Sequence, residues 1–241
     1  TMMRKLVATI AVLLLMVSAA SAGNTVKQAI SMTSSGGQIS QSAANAAVVK
    51  GNNNYISQGV SQSAYGSQIT QSGANAVVVV GDNNVVRQEV AQQACGSSIA
   101  QSGANALAVL GDDNSASQQV SQAAFGQNIF QNGWNTGSIT GDGNTLMQGL
   151  LSFAQTYADT NQTMSNTAYI SGSYNQVNQQ MAGMVLMGRS NAPVNQMGSN
   201  IGQAMDPNGN QFGQSMNMKA KAGRGSKAAQ YGMNEVKIGP V

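Results

Sequence analysis

Ile39, Ile69, Ile99 and Ile129 stand at equal steps of 30 residues, and the same step governs most of the chain. It carries Gln41 to Gln71, Gln101 and Gln131, and Asn45 to Asn75, Asn105 and Asn135. It carries Gly51 to Gly81, Gly111 and Gly141. It carries Asn54 to Asn84, Asn114 and Asn144, and Gln58 to Gln88, Gln118 and Gln148. A period of this length is the mark of a stacked-repeat architecture, in which each unit buries its apolar face only against its neighbours.

Within a unit the pattern alternates. Ile69, Gln71, Gly73, Asn75, Val77 and Val79 share one face of an extended segment, and Gly81-Asp82-Asn83 then supplies turn residues. A second segment places Asn84, Val86, Gln88, Val90, Gln92 and Ala94 on one face and Val85, Arg87, Glu89, Ala91 and Gln93 on the other. Charge is confined to that second set, so the first faces inward. Asn54, Ile56, Gln58, Val60, Gln62 and Ala64 repeat the inward pattern, as do Asn114, Ala116, Gln118, Val120, Gln122 and Ala124. Gly66, Gly96 and Gly126 mark the other reversal. Gly and Asn suit both turns because they tolerate positive φ.

The predicted fold is therefore all-β: strand, turn, strand, turn, stacked as β-arches into a β-solenoid, with cross-β continuity on assembly. A hydrogen-bonded hairpin within each unit is the alternative to an arch. The inward faces mix amides with Val and Ile. A buried amide left unpaired costs about 1–3 kcal/mol. Identical amides stacked at about 4.8 Å satisfy one another, each donating to one neighbour and accepting from the other. The four Gln and Asn series above are the candidate ladder residues, and Gly51, Gly81, Gly111 and Gly141 the candidate turns.

The period drifts later. A fifth unit is displaced by 31 (Gln162, Asn166, Gly172, Asn175, Gln179), and a sixth matches more loosely through Gln196, Asn200, Asn210 and Gln214. The expected division is a leader at 1–22, a polar lead-in at 23–36, the repeat domain at 37–218 and a basic tail at 219–241. The tail carries Lys219, Lys221, Arg224, Lys227 and Lys237 against Glu235. It is expected either as a solvated tail or as a segment that docks on the acidic turns of a neighbouring copy.

Residues 1–22 read as a secretory signal. Arg4 and Lys5 precede an apolar run from Leu6 to Val17, and Ala20-Ser21-Ala22 is a small-x-small cleavage site. The run is too short for a comfortable helical span, so no stable membrane segment is expected after cleavage. Charged residues make up 8% of the chain, with a net charge of +3. That balance does not suit a nucleic-acid partner, and it removes the usual defence against edge-to-edge association. The single cysteine, Cys95, aligns with Tyr65 and Phe125 and is expected at a packing position, with a disulfide between copies as the alternative.

Catalysis needs titratable groups that converge. The chain has no histidine, which excludes His-based triads and the common zinc sites. Asp82, Asp112, Asp113 and Asp142 fall at turns, where stacked acids would form a short column. A calcium site wants six to eight oxygens. Capping of local backbone N–H groups is the simpler reading. No catalytic residue, metal ligand or cofactor is predicted.

The segments Gln71-Ser72-Gly73-Ala74-Asn75-Ala76 and Gln101-Ser102-Gly103-Ala104-Asn105-Ala106 resemble the core of curlin repeats, secreted subunits of bacterial functional amyloid. The curlin unit is shorter, with one more residue between Gln and Asn. Over about residues 23–218, the leader, arch repeats, low charge and Ser/Gln/Asn/Ala richness resemble the sheath proteins of filamentous methanogenic archaea of the Methanospirillum type. That resemblance implies an amyloid-like cell sheath, with subunits polymerised into rings or hoops around the cell and sheets continuous between them. It carries over no ligand residue. The expected function is a secreted structural protein whose partner is itself. The alternatives are a curlin-like biofilm fibre and a monomeric solenoid adhesin.

Overall fold

The computed structural model describes residues 7–19 by their backbone, and residues 23–51, 53–81, 83–187, 192–206, 208–221 and 227–239 with side chains. Eleven strands follow in chain order: β1 Val7–Ala19, β2 Thr25–Lys50, β3 Tyr55–Val80, β4 Val85–Leu110, β5 Ser115–Thr140, β6 Thr145–Thr156, β7 Thr160–Ser171, β8 Gln176–Met187, β9 Val194–Ala204, β10 Gln211–Lys221 and β11 Ala228–Ile238. No helix occurs among the described residues. The strands wind into a β-solenoid of about seven turns.

Each of β2–β5 is 26 residues long and bends midway, so that it supplies two arms facing each other across the interior. The bend is visible in the parity of burial. Ile56, Gln58, Val60, Gln62 and Ala64 point inward, and after residues 65–68 the inward set becomes Ile69, Gln71, Asn75, Val77 and Val79. Below, the first arm means the strand half that follows the glycine turn, and the second arm the half that precedes the next one. From β6 onward each arm is a separate strand: β6, β8 and β10 continue the first arm, and β7, β9 and β11 the second.

All pairings are parallel and run from one turn of the solenoid to the next. The unit is therefore an arch, and the hairpin alternative is excluded for the described residues. Register equals the sequence period: Gln71 pairs Gln41 and Gln101, and Asn75 pairs Asn45 and Asn105. A slip of one residue would turn every inward amide and valine to solvent, so the pattern holds the register strictly.

The interior is striped. Apolar clusters lie beside the glycine turn (Val49, Ile56, Val79, Val109), midway along the arms (Val60, Val90, Val120, Leu150) and at the bend (Ile39, Ile69, Ile99, Ala94). Rows of Gln and Asn separate them. At the bend the turns pack so closely that a Cβ on Gly96 would collide with the carbonyl oxygen of Gly66. At the other reversal Gly111 has φ +142°, a region in which a side chain is strained.

Two of the expected boundaries are corrected. The lead-in, 23–36, is not outside the repeat: Thr25–Gly36 pairs residue for residue with Tyr55–Gly66, and Val26, Ile30 and Met32 are buried. Its Gln28 is the first member of the Gln58 series. The tail does not end the pattern at Met218 either. β10 continues through Lys221, and β11 adds a further rung on β9, with Gln230 against Gln196 and Asn234 against Asn200. The described part of the tail is thus strand and not free coil. The spacing had grown to 34 residues because longer corners separate the late arms, which hides them from a search at 30. Val7–Ala19, within the expected leader, lies as a parallel strand against Gln38–Lys50.

Candidate functional site: the amide ladders and their ends

The Gln41 series forms a continuous side-chain ladder. Gln71 Nε2 donates to Gln41 Oε1 at 2.8 Å, Gln101 to Gln71 at 2.9 Å, and Gln131 to Gln101 at 2.8 Å. It runs on through Gln162, Gln196 and Gln230. The Gln58 series does the same: Gln58 donates to Gln28 at 2.7 Å, Gln88 to Gln58 at 3.2 Å, Gln118 to Gln88 at 3.0 Å and Gln148 to Gln118 at 2.9 Å. Gln179 and Gln214 extend it. In the Asn45 series the direction reverses. Asn45 Nδ2 donates to Asn75 Oδ1, Asn75 to Asn105 and Asn105 to Asn135, each at 3.0 Å. Asn166, Asn200 and Asn234 follow.

Each amide nitrogen has a second hydrogen, and in most rungs it goes across the interior. Gln71 Nε2 reaches the Gln93 carbonyl at 3.1 Å, Asn75 Nδ2 the Glu89 carbonyl at 2.9 Å, and Gln88 Nε2 the Ala106 carbonyl at 3.0 Å. The ladders therefore do two jobs. They zip turn to turn, and they stitch one arm to the other, which explains how amides that are almost wholly buried remain satisfied.

The Asn54 series is a correction. Asn54, Asn84, Asn114 and Asn144 do not bond amide to amide. The backbone N–H of Asn54 donates to Asn84 Oδ1 at 2.9 Å, that of Asn84 to Asn114 Oδ1 at 2.7 Å, and that of Asn114 to Asn144 Oδ1 at 2.8 Å. Asn54 and Asn84 Nδ2 bond the carbonyls of Gly51 and Gly81, while the Nδ2 groups of Asn114 and Asn144 are buried without a partner. These residues hold the turn, where the chain leaves strand geometry and side chains no longer stack face to face. Gly51, Gly81, Gly111 and Gly141 all have positive φ, as predicted for turns.

A fourth ladder lies in residues that the sequence places inward without assigning them a role. Gln92 donates to Gln62 at 2.7 Å and Gln122 to Gln92 at 2.8 Å. It stops where Ser152 takes the place of glutamine and donates sideways to Gln131 Oε1. The signal was present, since Gln62, Gln92 and Gln122 also stand 30 apart.

The turn acids act as backbone acceptors. Asp112 Oδ1 takes the N–H of Asp142 at 3.0 Å, and Asp142 Oδ1 takes that of Ser173 at 2.5 Å. Asp82 lies outside the described residues. Among the described residues no group of three or more His, Cys, Asp or Glu side chains converges. Cys95 is exposed at the bend, not packed as expected, because the parity change turns its column outward with Tyr65.

The ladders end abruptly. At the last described rung Val236 and Ile238 are 41% and 51% exposed, whereas Ala168 in the column of Val236 and Ala204 and Ile170 in the column of Ile238 are buried. The outer edges of β10 and β11 carry no strand partner among the described residues. Arrangement and chemistry together define a class: a parallel β-solenoid with amide-laddered walls, whose last rungs carry no strand partner among the described residues. Comparison with protein-family models, with curated proteins and with solved structures finds no match for the chain.

Proposed function

We propose that the chain is a secreted structural subunit that polymerises through its stacked arches into an extracellular sheath, as rings or hoops enclosing the cell. The observation that carries this reading is the continuation of the amide ladders to the last described rung, where they stop with unused donors and acceptors. A self-contained solenoid shields its terminal rungs with a polar cap. Here Gln214, Gln230 and Asn234 instead offer the same amide pattern that lies at the other end of the stack.

The low charge supports the same reading, since the outer faces offer little electrostatic opposition to contact between copies. On the second arm, Val78, Val80, Ala108 and Leu110 point outward near the glycine turn and form an uncharged strip suited to packing between neighbouring sheets. The depression lined by Phe130, Asp159, Asn161 and Asn195 contains one titratable group.

Imaging of the native cell envelope, combined with fibre diffraction of the purified polymer, tests the reading. Hoops with strands continuous from subunit to subunit and a repeat near 4.8 Å are expected. Thin free fibres would favour the curlin-like alternative, and a stable monomer at high concentration the adhesin.

A further inference from the structure

We infer that β1 occupies the seat of a second copy's last rung, and that its removal opens a head-to-tail joint of defined register between copies. The inference rests on the self-assembly reading above and adds to it where the joint lies, how it is aligned and what blocks it.

Two unfilled groups and one diverted donor at the start of the stack match three unfilled groups at its end. Asn45 Oδ1 is buried without a hydrogen-bond partner, although every later member of its ladder accepts from the member before. Asn234, at the far end, accepts from Asn200 and has no donor bond of its own among the described residues. Gln28 Nε2 spends one hydrogen on the Ala46 carbonyl and donates to no glutamine. The Oε1 of Gln214, the seventh member of that ladder, accepts none. Gln41 Nε2 turns the hydrogen not used across the interior to Ser34 Oγ, whereas its homologue Gln71 donates to the preceding glutamine, and Gln230 Oε1 is unused. Donor direction agrees in all three cases. Gln ladders donate toward the N-terminal end, so Gln28 and Gln41 present donors where Gln214 and Gln230 present acceptors. The Asn ladder donates the opposite way, and there the acceptor and donor are exchanged.

The rest of the rung is complementary by the same register. Following the pairings from turn to turn brings Met216 over Ile30, Met218 over Met32 and Ile238 over Val49. Met216 and Met218 are partly buried, and Ile238 is exposed.

β1 covers the second-arm half of this seat but completes none of it. Its register sets Ile10 opposite Gln41 and Leu14 opposite Asn45, and neither residue type can bond an amide. It pairs only Gln38–Lys50, so the edge at 25–36 is left without a strand partner among the described residues. A strand that satisfies the backbone while orphaning the ladder is a replaceable occupant. The β11 strand of a second copy supplies both the backbone edge and the missing amides. The expected cleavage after Ala22 would release β1 from the chain.

The test uses the full chain with a specific protease site introduced between Ala22 and Gly23, in a Cys95→Ser background. Outward cysteines are placed in register, Ser42→Cys with Tyr231→Cys, or two residues out of register, Ser42→Cys with Met233→Cys. In-register Cα atoms on adjacent strands lie about 4.8 Å apart, within disulfide reach, while a shift of two residues puts them beyond about 7 Å. Lys27→Cys with Gly213→Cys repeats the in-register pair on the other arm, away from any effect of replacing Tyr231. Before cleavage the chain is expected to stay monomeric by light scattering. After cleavage it grows, and oxidation cross-links the in-register pairs at least tenfold more than the shifted pair. Growth of the uncleaved chain at the cleaved rate would overturn β1 as a cover. Polymers that form after cleavage yet cross-link equally in both registers would overturn the joint and leave the sheath reading standing. A monomer that persists after cleavage would sink both.

Discussion

Gln101 Nε2 donates to Gln71 Oε1 at 2.9 Å and to the Ala123 carbonyl at 3.2 Å, so one buried amide ties its turn to the preceding one and its arm to the facing arm. Its own oxygen accepts from Gln131. Three bonds meet at a single side chain that is about 2% exposed.

Replacing Gln101 with leucine removes all three, leaving the Gln131 N–H without that acceptor and Gln71 Oε1 without that donor in a buried setting. A loss of about 3 kcal/mol is expected, larger than a single hydrogen bond because buried groups stay unpaired. Gln38 Nε2 donates to Gln68 Oε1 at 2.7 Å, also between stacked turns but in the opposite direction and in an exposed position. Gln38→Leu should cost less than about 0.5 kcal/mol. Urea midpoints of the two variants, measured side by side, check the contrast.

The mid-arm stripe alternates size across the interior. A Cβ on Gly103 would lie 2.5 Å from Val120 Cγ1, so Gly103→Val forces large against large and should cost about 1–3 kcal/mol or more. Gly59 meets nothing within 4 Å and has an ordinary strand φ. Gly59→Ala should therefore be neutral or stabilising by up to about 1 kcal/mol through the unfolded state. Thermal melts of both variants would read opposite signs.

Ala104 and Trp134 are adjacent on the outer face of the second arm, paired across β4 and β5. If sheets of neighbouring copies pack on this face, Ala104→Lys should block lateral bundling by burying a charge, while end-to-end growth continues. The expected outcome is filaments of unchanged length and smaller diameter by electron microscopy. In the unaltered chain, the emission of Trp134, 44% exposed in the single copy, should shift to the blue on bundling.

Cys95 sits outward at the bend beside Phe125 and Tyr65 in register. A thiol reagent should modify it in the folded chain at a rate within about tenfold of that in denaturant, since a buried thiol would be protected by the free energy of local opening. Slow labelling of the native chain would contradict its exposure.

The sequence by itself determined the strand arms, the faces they bury, the glycine turns and the register. Every one of these follows from local alternation and from a strict period, and in-register stacking is the arrangement that pairs like amides with like. Gln71 had to lie on Gln41 for the same reason that it stands 30 residues later. What only the tertiary structure decided concerns contacts between positions that the period does not align. The second hydrogen of Gln71 finds the Gln93 carbonyl because two arms are folded face to face, and nothing local encodes that partner. Asn84 caps a turn rather than joining an amide ladder because the backbone leaves strand geometry there. β11 could be recognised as a rung only once the long corners were seen to absorb the extra residues. Register is a property of neighbours in a repeat, whereas the closing of an arch and the placing of a displaced rung depend on how the whole stack is wound.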